Sequence, residues 1–224
     1  MQKLFTSDLV ISDLEVWRGD YCACAGWSAR VKPGQLLRLG GGNGAGKTSL
    51  MRVFAGLALP ENGTVRYGVR ATPRSAAYRE SLRYVAHRDG VKSELSAGEN
   101  LRLAARLAAD SSPGETAAAL KRVGLEAFAE RRAAELSAGQ HRRLALARLL
   151  LGKAGLWLLD EPLVGLDRSA VGLVAELVRE HLSGGGIAVV ATHQTLPLAG
   201  VDMLRCDLPR IAREAPVPAE PLEV

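Results

Sequence analysis

The spacing of hydrophobic and polar residues changes along the chain, and each change marks an element. Over residues 9–16 apolar and polar positions alternate with period two, which predicts a half-buried strand. A second short strand follows at 27–31, beyond a turn at Gly19-Asp20. Lys32-Pro33-Gly34-Gln35 forms a tight turn into the apolar run Leu36, Leu37 and Leu39, after which Leu50, Met51, Val53 and Phe54 recur at helical spacing. Leu59-Pro60-Glu61-Asn62-Gly63-Thr64 is turn chemistry ahead of a strand at 65–67, and 82–87 reads as another strand. Residues 96–132 are different in kind, rich in Ala, Leu, Arg and Glu. They carry two helix starts: Ser96-Ala97-Gly98-Glu99, and Ser112-Pro113-Gly114-Glu115 with proline at the first helical position. A third capping box, Ser137-Ala138-Gly139-Gln140, opens a helix through Leu144, Leu146, Ala147, Leu149 and Leu150 that stops near Gly152. Leu156-Trp157-Leu158-Leu159-Asp160 and residues 187–191 are unbroken apolar runs, as expected of strands buried on both faces of a parallel sheet. Between them Asp167 caps a helix bearing Leu173, Leu177 and Leu182, and Gly184-Gly185-Gly186 turns the chain back.

Strands alternating with helices predict an α/β architecture with a mainly parallel core sheet. The helical stretch, about 90–150, reads as a subdomain inserted into one domain spanning 1–208. Residues 209–224, with Pro216, Pro218 and Pro221, read as a loosely held tail.

Composition narrows the choice of partner. A chain of 224 residues with 47% apolar and 24% charged residues suits one globular domain, and 4% aromatic content argues against base-stacking or sugar-stacking surfaces. Lys and Arg exceed Asp and Glu by 29 to 24, a net +5 that favours an anionic partner such as nucleotide, nucleic acid or a membrane surface. The basic residues are scattered, and Arg131-Arg132 and Arg142-Arg143 read as solvated surface. Three cysteines, Cys22, Cys24 and Cys206, suit a reducing compartment, with Cys22-Ala23-Cys24 read as small residues alternating on a strand rather than a metal pair. Residues 1–10 carry no signal pattern and no apolar run approaches the roughly 20 residues of a membrane span. The expectation is therefore a cytosolic protein that meets a membrane only through a partner.

One stretch carries phosphate chemistry. Gly41-Gly42-Asn43-Gly44-Ala45-Gly46-Lys47-Thr48, followed by Ser49, fits G-x-x-x-x-G-K-[ST] between a strand and a helix. Glycines there let successive N–H groups turn inward around phosphate at a helix N-terminus. Lys47 would reach the β- and γ-phosphates, and the Thr48 hydroxyl would ligate Mg²⁺. The apolar run ending in Asp160-Glu161 complements it: Asp160 would hold Mg²⁺ through water and Glu161 would act as general base on the attacking water. Ser137-Ala138-Gly139-Gln140 offers a second anion cradle, and two cradles in one chain suggest that a second subunit matters. His87, His141 and His181 read as structural.

Leu136-Ser137-Ala138-Gly139-Gln140 resembles the signature sequence of ATP-binding-cassette (ABC) ATPases. Pro162-Leu163-Val164-Gly165-Leu166-Asp167 looks like that family's D-loop, and Ala191-Thr192-His193 like its switch-histidine strand end. The resemblance spans residues 8–207. It implies a P-loop NTPase domain of ABC type with a parallel core sheet, an antiparallel N-terminal β subdomain and an inserted helical subdomain. It also implies ATP and Mg²⁺ as ligands, His193 at the γ-phosphate, and a homodimer that sandwiches each ATP between one P-loop and the other subunit's Ser137 to Gln140. Residues 90–101, 136–149 and 185–194 are similar to the CcmA group, the ATP-binding subunits of bacterial cytochrome c maturation associated with haem export. That similarity implies the integral membrane partners CcmB and CcmC, a peripheral place on the cytoplasmic face of the inner membrane, and no nucleic acid partner. Three positions depart from the pattern. Gly42 stands where Pro or Ser is usual, Arg88 in Ala86-His87-Arg88 stands at the Q-loop glutamine, and the adenine-stacking aromatic is either Trp17 or Tyr21. Alternatives are a soluble ABC ATPase acting on nucleic acid, an exporter subunit for another substrate, and a nucleotide-binding regulatory cassette that barely hydrolyses.

Overall fold

The alternating segment at the start of the chain finds its partners in an antiparallel sheet. The computed structural model describes residues 5–208, except 20, 70, 109, 110 and 113, together with 211 and 212. In it, β1 (Leu9–Arg18) runs between β2 (Tyr21–Val31) and β4 (Asn62–Tyr67), and β9 (Ile211–Ala212) adds to the outer edge of β2. Both β2 and β4 begin earlier than their apolar pattern predicts, because pairing with β1 draws in the residues before each run, 21–26 on β2 and 62–64 on β4. Cys22, Ala23 and Cys24 consequently lie on β2, but they are buried in succession rather than alternately. The pairing slips by one residue there, with Val16 opposite Cys24 and Trp17 opposite Cys22, so a bulge turns an extra side chain inward. Both thiols are spent on backbone: the Cys22 Sγ donates to the Cys24 carbonyl at 3.0 Å and the Cys24 Sγ to the Leu14 carbonyl at 3.5 Å. Burial pushes the Cys24 thiol up to about 12 and that of Cys206 to about 11.

The second sheet is parallel throughout, in the order β5 (Leu82–Val85), β6 (Leu156–Asp160), β7 (Ile187–Ala191), β3 (Leu36–Gly40), β8 (Met203–Asp207). Every residue of β6 and β7 is buried, as their unbroken apolar runs require. Helix α1 (Lys47–Phe54) lies between the sheets and buries Leu50, Met51, Val53 and Phe54 against residues of both. The far face of the parallel sheet is covered by α5 (Ala138–Ala147) and α6 (Arg168–Ser183). A short helix that the apolar pattern did not reveal, α2 (Ala76–Glu80), is capped by the Ser75 hydroxyl and anchored by Tyr78, whose hydroxyl donates to the Phe54 carbonyl at 2.7 Å.

The helical subdomain follows its caps. Ser96 and Glu99 form a reciprocal capping box on α3 (Ala97–Leu107), Ser137 and Gln140 do the same on α5, and Asp167 accepts from the Ala170 N–H at 2.7 Å to start α6. The Ser112 start is displaced. Helix α4 is Glu115–Arg122 with Gly114 at its N-cap in the left-handed region (φ +93°), and the Ser112 hydroxyl instead donates to the Glu115 carboxylate at 2.9 Å. Pro113 and most of the predicted tail, 209–224, lie outside the described residues. Leu101, Leu120, Val123, Leu136 and Leu144 form this lobe's own core.

One buried base couples fold stability to pH. The His181 ring stacks on Trp157 with centroids 4.0 Å apart, its Nε2 lies 3.1 Å from the Ile187 carbonyl, and Gly186 leaves just enough room beside it that a Cβ there would clash with the ring. Burial lowers its pKa from 6.5 to about 4. Between those values the unfolded chain holds the proton and the folded chain does not, so this contribution is intact above pH 6.5 and is lost as pH falls toward 4. The full loss is on the order of 3 kcal/mol. Thermal melts of wild type and His181→Phe across pH 7 to 4.5 should show the variant with a shallower decline of melting temperature, and parallel curves would exclude His181 as the titrating group.

Candidate active site

Strand order brings three loops together. Because β3, β7 and β6 are neighbours and parallel, the chain leaves their carboxyl ends on one side of the sheet, where ligands of open α/β sheets bind. The segment after β3 holds the P-loop, that after β6 holds Asp160 and Glu161, and that after β7 holds Thr192 and His193. Residues 43–49, with Arg52, His87 and Glu161, line a cavity of about 280 Å³.

The P-loop is shaped by what surrounds it. Gly46, at φ +97°, caps α1, and a Cβ there would clash with the Cβ of Ala23 on β2. The antiparallel sheet thus braces the phosphate loop directly. Gly42 is under no such constraint, since a Cβ there meets nothing within 4 Å. Lys47, first residue of α1 and 7% exposed, folds back across the loop, where its Nζ donates to the Gly41 carbonyl at 2.8 Å and the Gly42 carbonyl at 3.2 Å. The same Nζ lies 3.7 Å from Glu161 Oε1. Thr48 is exposed and faces the cavity, and Ser49 lines it as well.

Asp160 is wholly buried, and neither carboxylate oxygen has a hydrogen-bond partner among the described residues. Desolvation raises its pKa, opposed by the Thr48 hydroxyl and the nearby His87 and reinforced by the charge of Glu161. An acceptor pair left bare in this way fits a divalent cation, and Asp160 with Thr48 forms the oxygen donor set that Mg²⁺ prefers. Glu161 adopts φ +48°, an uncommon conformation for a residue with a Cβ. Its N–H donates to the Ala191 carbonyl at 2.8 Å, and its carboxylate stands 3.1 Å from His193 Nδ1. This contact engages Nδ1 and leaves Nε2 pointing away from Glu161.

Ser137 to Gln140 do not line this cavity. The Ser137 Oγ accepts from the Gln140 N–H at 3.3 Å and the Gln140 Oε1 from the Ser137 N–H at 2.8 Å, leaving the remaining N–H groups of the α5 N-terminus open. Ala138 and Gly139 follow in the first turn, and Gly139 lies beside the Gly165 carbonyl. Asp167 caps α6 and is tied to α5 by Arg143, whose Nη2 donates at 3.2 Å. Arg88 is exposed, outside the cavity lining, and has no hydrogen bond or ion pair among the described residues; its neighbour His87 faces the cavity instead. Trp17 is half-buried, with its Nε1 donating to Glu15 Oε1 at 2.7 Å, and Tyr21 is exposed at the start of β2.

The reading of Arg142-Arg143 as solvated surface is corrected for Arg142. Its side chain is buried beneath the ends of β5 and β6, because α5 crosses there and the guanidinium finds backbone carbonyls in place of water. The signal was available in the pattern, since Arg142 shares the inward face of α5 with Ala145 and Leu146, but its charge argued the other way.

The family model for ABC transporters matches residues 24–164. The chain belongs to the ABC transporter family. This ABC ATPase is 44% identical over 196 residues to the cytochrome c biogenesis ATP-binding export protein CcmA of Methylococcus capsulatus, covering 86% of this chain and 94% of that protein. It is 42% identical to the protein of the same name from Nitrosococcus oceani, with 85% and 88% covered, and 44% identical to CcmA 2 of Cupriavidus metallidurans, with 84% and 90% covered. A putative ABC transporter ATP-binding protein from Pyrococcus furiosus has the same fold, with a TM-score of 0.77 and 25% identity over 90% of this chain and 97% of that one. The ABC ATPase binds ATP and couples its hydrolysis to transport.

The two P-loop glycines should therefore respond differently to substitution. Gly46→Ala, which meets both the left-handed backbone and Ala23, is expected to weaken ATP binding by at least roughly tenfold and to destabilise the fold by about 1–3 kcal/mol. Gly42→Ser should leave both within about twofold. Equilibrium binding of a fluorescent ATP analogue and thermal melts check this, and equal effects at the two positions would contradict the bracing contact.

Proposed function

We propose that this chain is the ATP-hydrolysing subunit of a membrane ABC complex for cytochrome c maturation, driving haem export or the release of a haem-loaded chaperone. The observation that carries the reading of the site is the Glu161 carboxylate, held between Lys47 Nζ and His193 Nδ1 at the mouth of the P-loop cavity. The reading of the pathway rests on relatives named CcmA, 40–44% identical over most of this chain and most of their own length.

In this mechanism the inward N–H groups of residues 43–49 receive the phosphates, and Lys47 exchanges its carbonyl partners for β- and γ-phosphate oxygens. Glu161 takes the proton of the attacking water, while His193, fixed through its Nδ1, turns its Nε2 toward the γ-phosphate. Thr48, and Asp160 through water, would hold Mg²⁺, which when bound neutralises charge between the β- and γ-phosphates. A second copy of the chain supplies the N-terminus of α5, Ser137 to Gln140, to the far side of the same nucleotide, with Asp167 beside it. ATP then favours the closed homodimer by its higher affinity for that state, and hydrolysis removes the bias.

Partners of the CcmB and CcmC type would place the dimer on the cytoplasmic face of the inner membrane. Among the described residues no helix is long and apolar enough to cross a membrane. An attachment surface for such a partner is supported by a groove of about 300 Å³ whose lining mixes Leu82, Tyr84 and Leu107, the last 83% exposed, with Arg79, Arg83 and Arg148. It adjoins the loop that carries Arg88, the position proposed for Q-loop contact.

Deleting the gene should abolish the absorbance of c-type cytochromes in membranes, and wild type but not Glu161→Gln should restore it. In the purified complex Glu161→Gln should lower phosphate release by roughly 100- to 10,000-fold while ATP still binds. Normal cytochrome c in the deletion strain would overturn the haem role, and normal turnover in the variant would overturn the assignment of the base.

A further inference from the structure

Arg142 is 4% exposed, and its guanidinium is fully engaged. Nε donates to the Pro162 carbonyl at 3.3 Å. Nη1 donates to the Ala86 carbonyl at 2.9 Å and to Asp89 Oδ1 at 2.6 Å. Nη2 donates to the carbonyls of Asp160 at 2.9 Å and Glu161 at 2.8 Å. A guanidinium has five N–H groups in one rigid plane, and here each has an acceptor. The acceptors fall into two sets on different atoms. Nη1 serves the loop after β5, residues 86–89, while Nη2 and Nε serve the end of β6 and the turn that follows, residues 160–162. The side chain itself stands on α5, whose first turn is Ser137 to Gln140.

Glu161 is the residue most affected. Its backbone is in the left-handed region, and such a conformation persists only when its neighbours over-determine it. Three hydrogen bonds do so: the Ala191 carbonyl holds its N–H at 2.8 Å, and its C=O accepts from Arg142 Nη2 at 2.8 Å and, more weakly, from the Val164 N–H at 3.4 Å. The two peptide units flanking the Glu161 Cα are thus both held, and together they aim its carboxylate. Of the acceptors on Arg142, Asp89 alone is anionic, and its carboxylate is 26% exposed, so it is the member that events outside the core can reach.

We propose that Arg142 is a positioning residue that aims the Glu161 carboxylate and, through Asp89, makes that aim depend on the loop at 86–89. The guanidinium is flat and stiff, so a shift of the loop that draws Nη1 away also rotates Nη2 off the carbonyls of Asp160 and Glu161. The loop then governs the rate of hydrolysis through Arg142, and α5 moves with it. This rests on the reading of Glu161 as the base.

The test uses the full chain in its membrane complex, comparing wild type, Arg142→Lys, Asp89→Asn and the double variant for kcat, KM and ATP-analogue affinity. Arg142→Lys keeps the charge but cannot span both sets of acceptors, and kcat should fall on the order of 100-fold, the scale of a misplaced reacting group. Asp89→Asn should lower kcat roughly tenfold. In both, KM and analogue affinity stay within about twofold. The double variant should match Arg142→Lys, since Asp89 acts through Arg142. Independent multiplication of the two losses, unchanged kcat, or a parallel loss of affinity would each overturn the inference. Should Arg142→Lys fail to fold, the kcat and affinity of Asp89→Asn alone decide. A wild-type complex that binds ATP without hydrolysing it would instead overturn the active-site reading, and the inference with it.

Discussion

A buried positive charge surrounded by backbone carbonyls organises the catalytic half of this protein. Removing a guanidinium from water costs several kcal/mol unless its donors are satisfied, and an Arg142 deprived of its acceptors would unbalance the interior it occupies. The loop after β5, the turn after β6 and the helix that begins at Ser137 are therefore not free to choose their positions independently. Each must present its oxygens, or carry the cation, in one plane. Glu161 adopts its unusual backbone angle within that constraint.

The remaining architecture supplies rigidity where the phosphates bind. A parallel order of β6, β7 and β3 gathers the ends of three strands, but a glycine-rich loop at such an edge needs walls. The antiparallel sheet provides one through Ala23, and α1, held between the two sheets by Leu50, Met51 and Phe54, fixes the other end of the loop. Packing and catalysis are coupled here through side chains as small as a methyl group.

Much of this was legible in the sequence because the deciding chemistry is local. The P-loop spacing, the capping boxes at Ser96 and Ser137, the Asp167 cap and the apolar runs of β6 and β7 each need only a few adjacent residues, and the fold and family follow from them. The rest depended on partners distant in sequence. Ser112 lost its capping role to the Glu115 side chain, and α4 begins later as a result. The bulge opposite Trp17 reset which faces of β2 are buried, which no period-two count on β2 alone could register. Arg142 and Arg143 are adjacent and alike in charge, yet only the α5 crossing distinguishes the buried one from its neighbour, and His87 faces the cavity only because β5 lies beside β6.

The walls around the phosphate loop also include the other end of the chain. At the end of β8 the Asp207 carboxylate occupies the place a Cβ on Gly40 would take, the Leu208 carbonyl crowds Gly41, and the Leu208 N–H donates to the Gly40 carbonyl at 3.2 Å before β9 joins the antiparallel sheet. A glycine-rich segment is usually the most conformationally diverse part of a chain, and ordering it consumes the most entropy. Here Gly40, Gly41 and Gly46 are placed as the protein folds, the first two by Asp207 and Leu208 from the far end of the chain. Part of the entropy that ordering this loop consumes is therefore met by folding and not by the nucleotide.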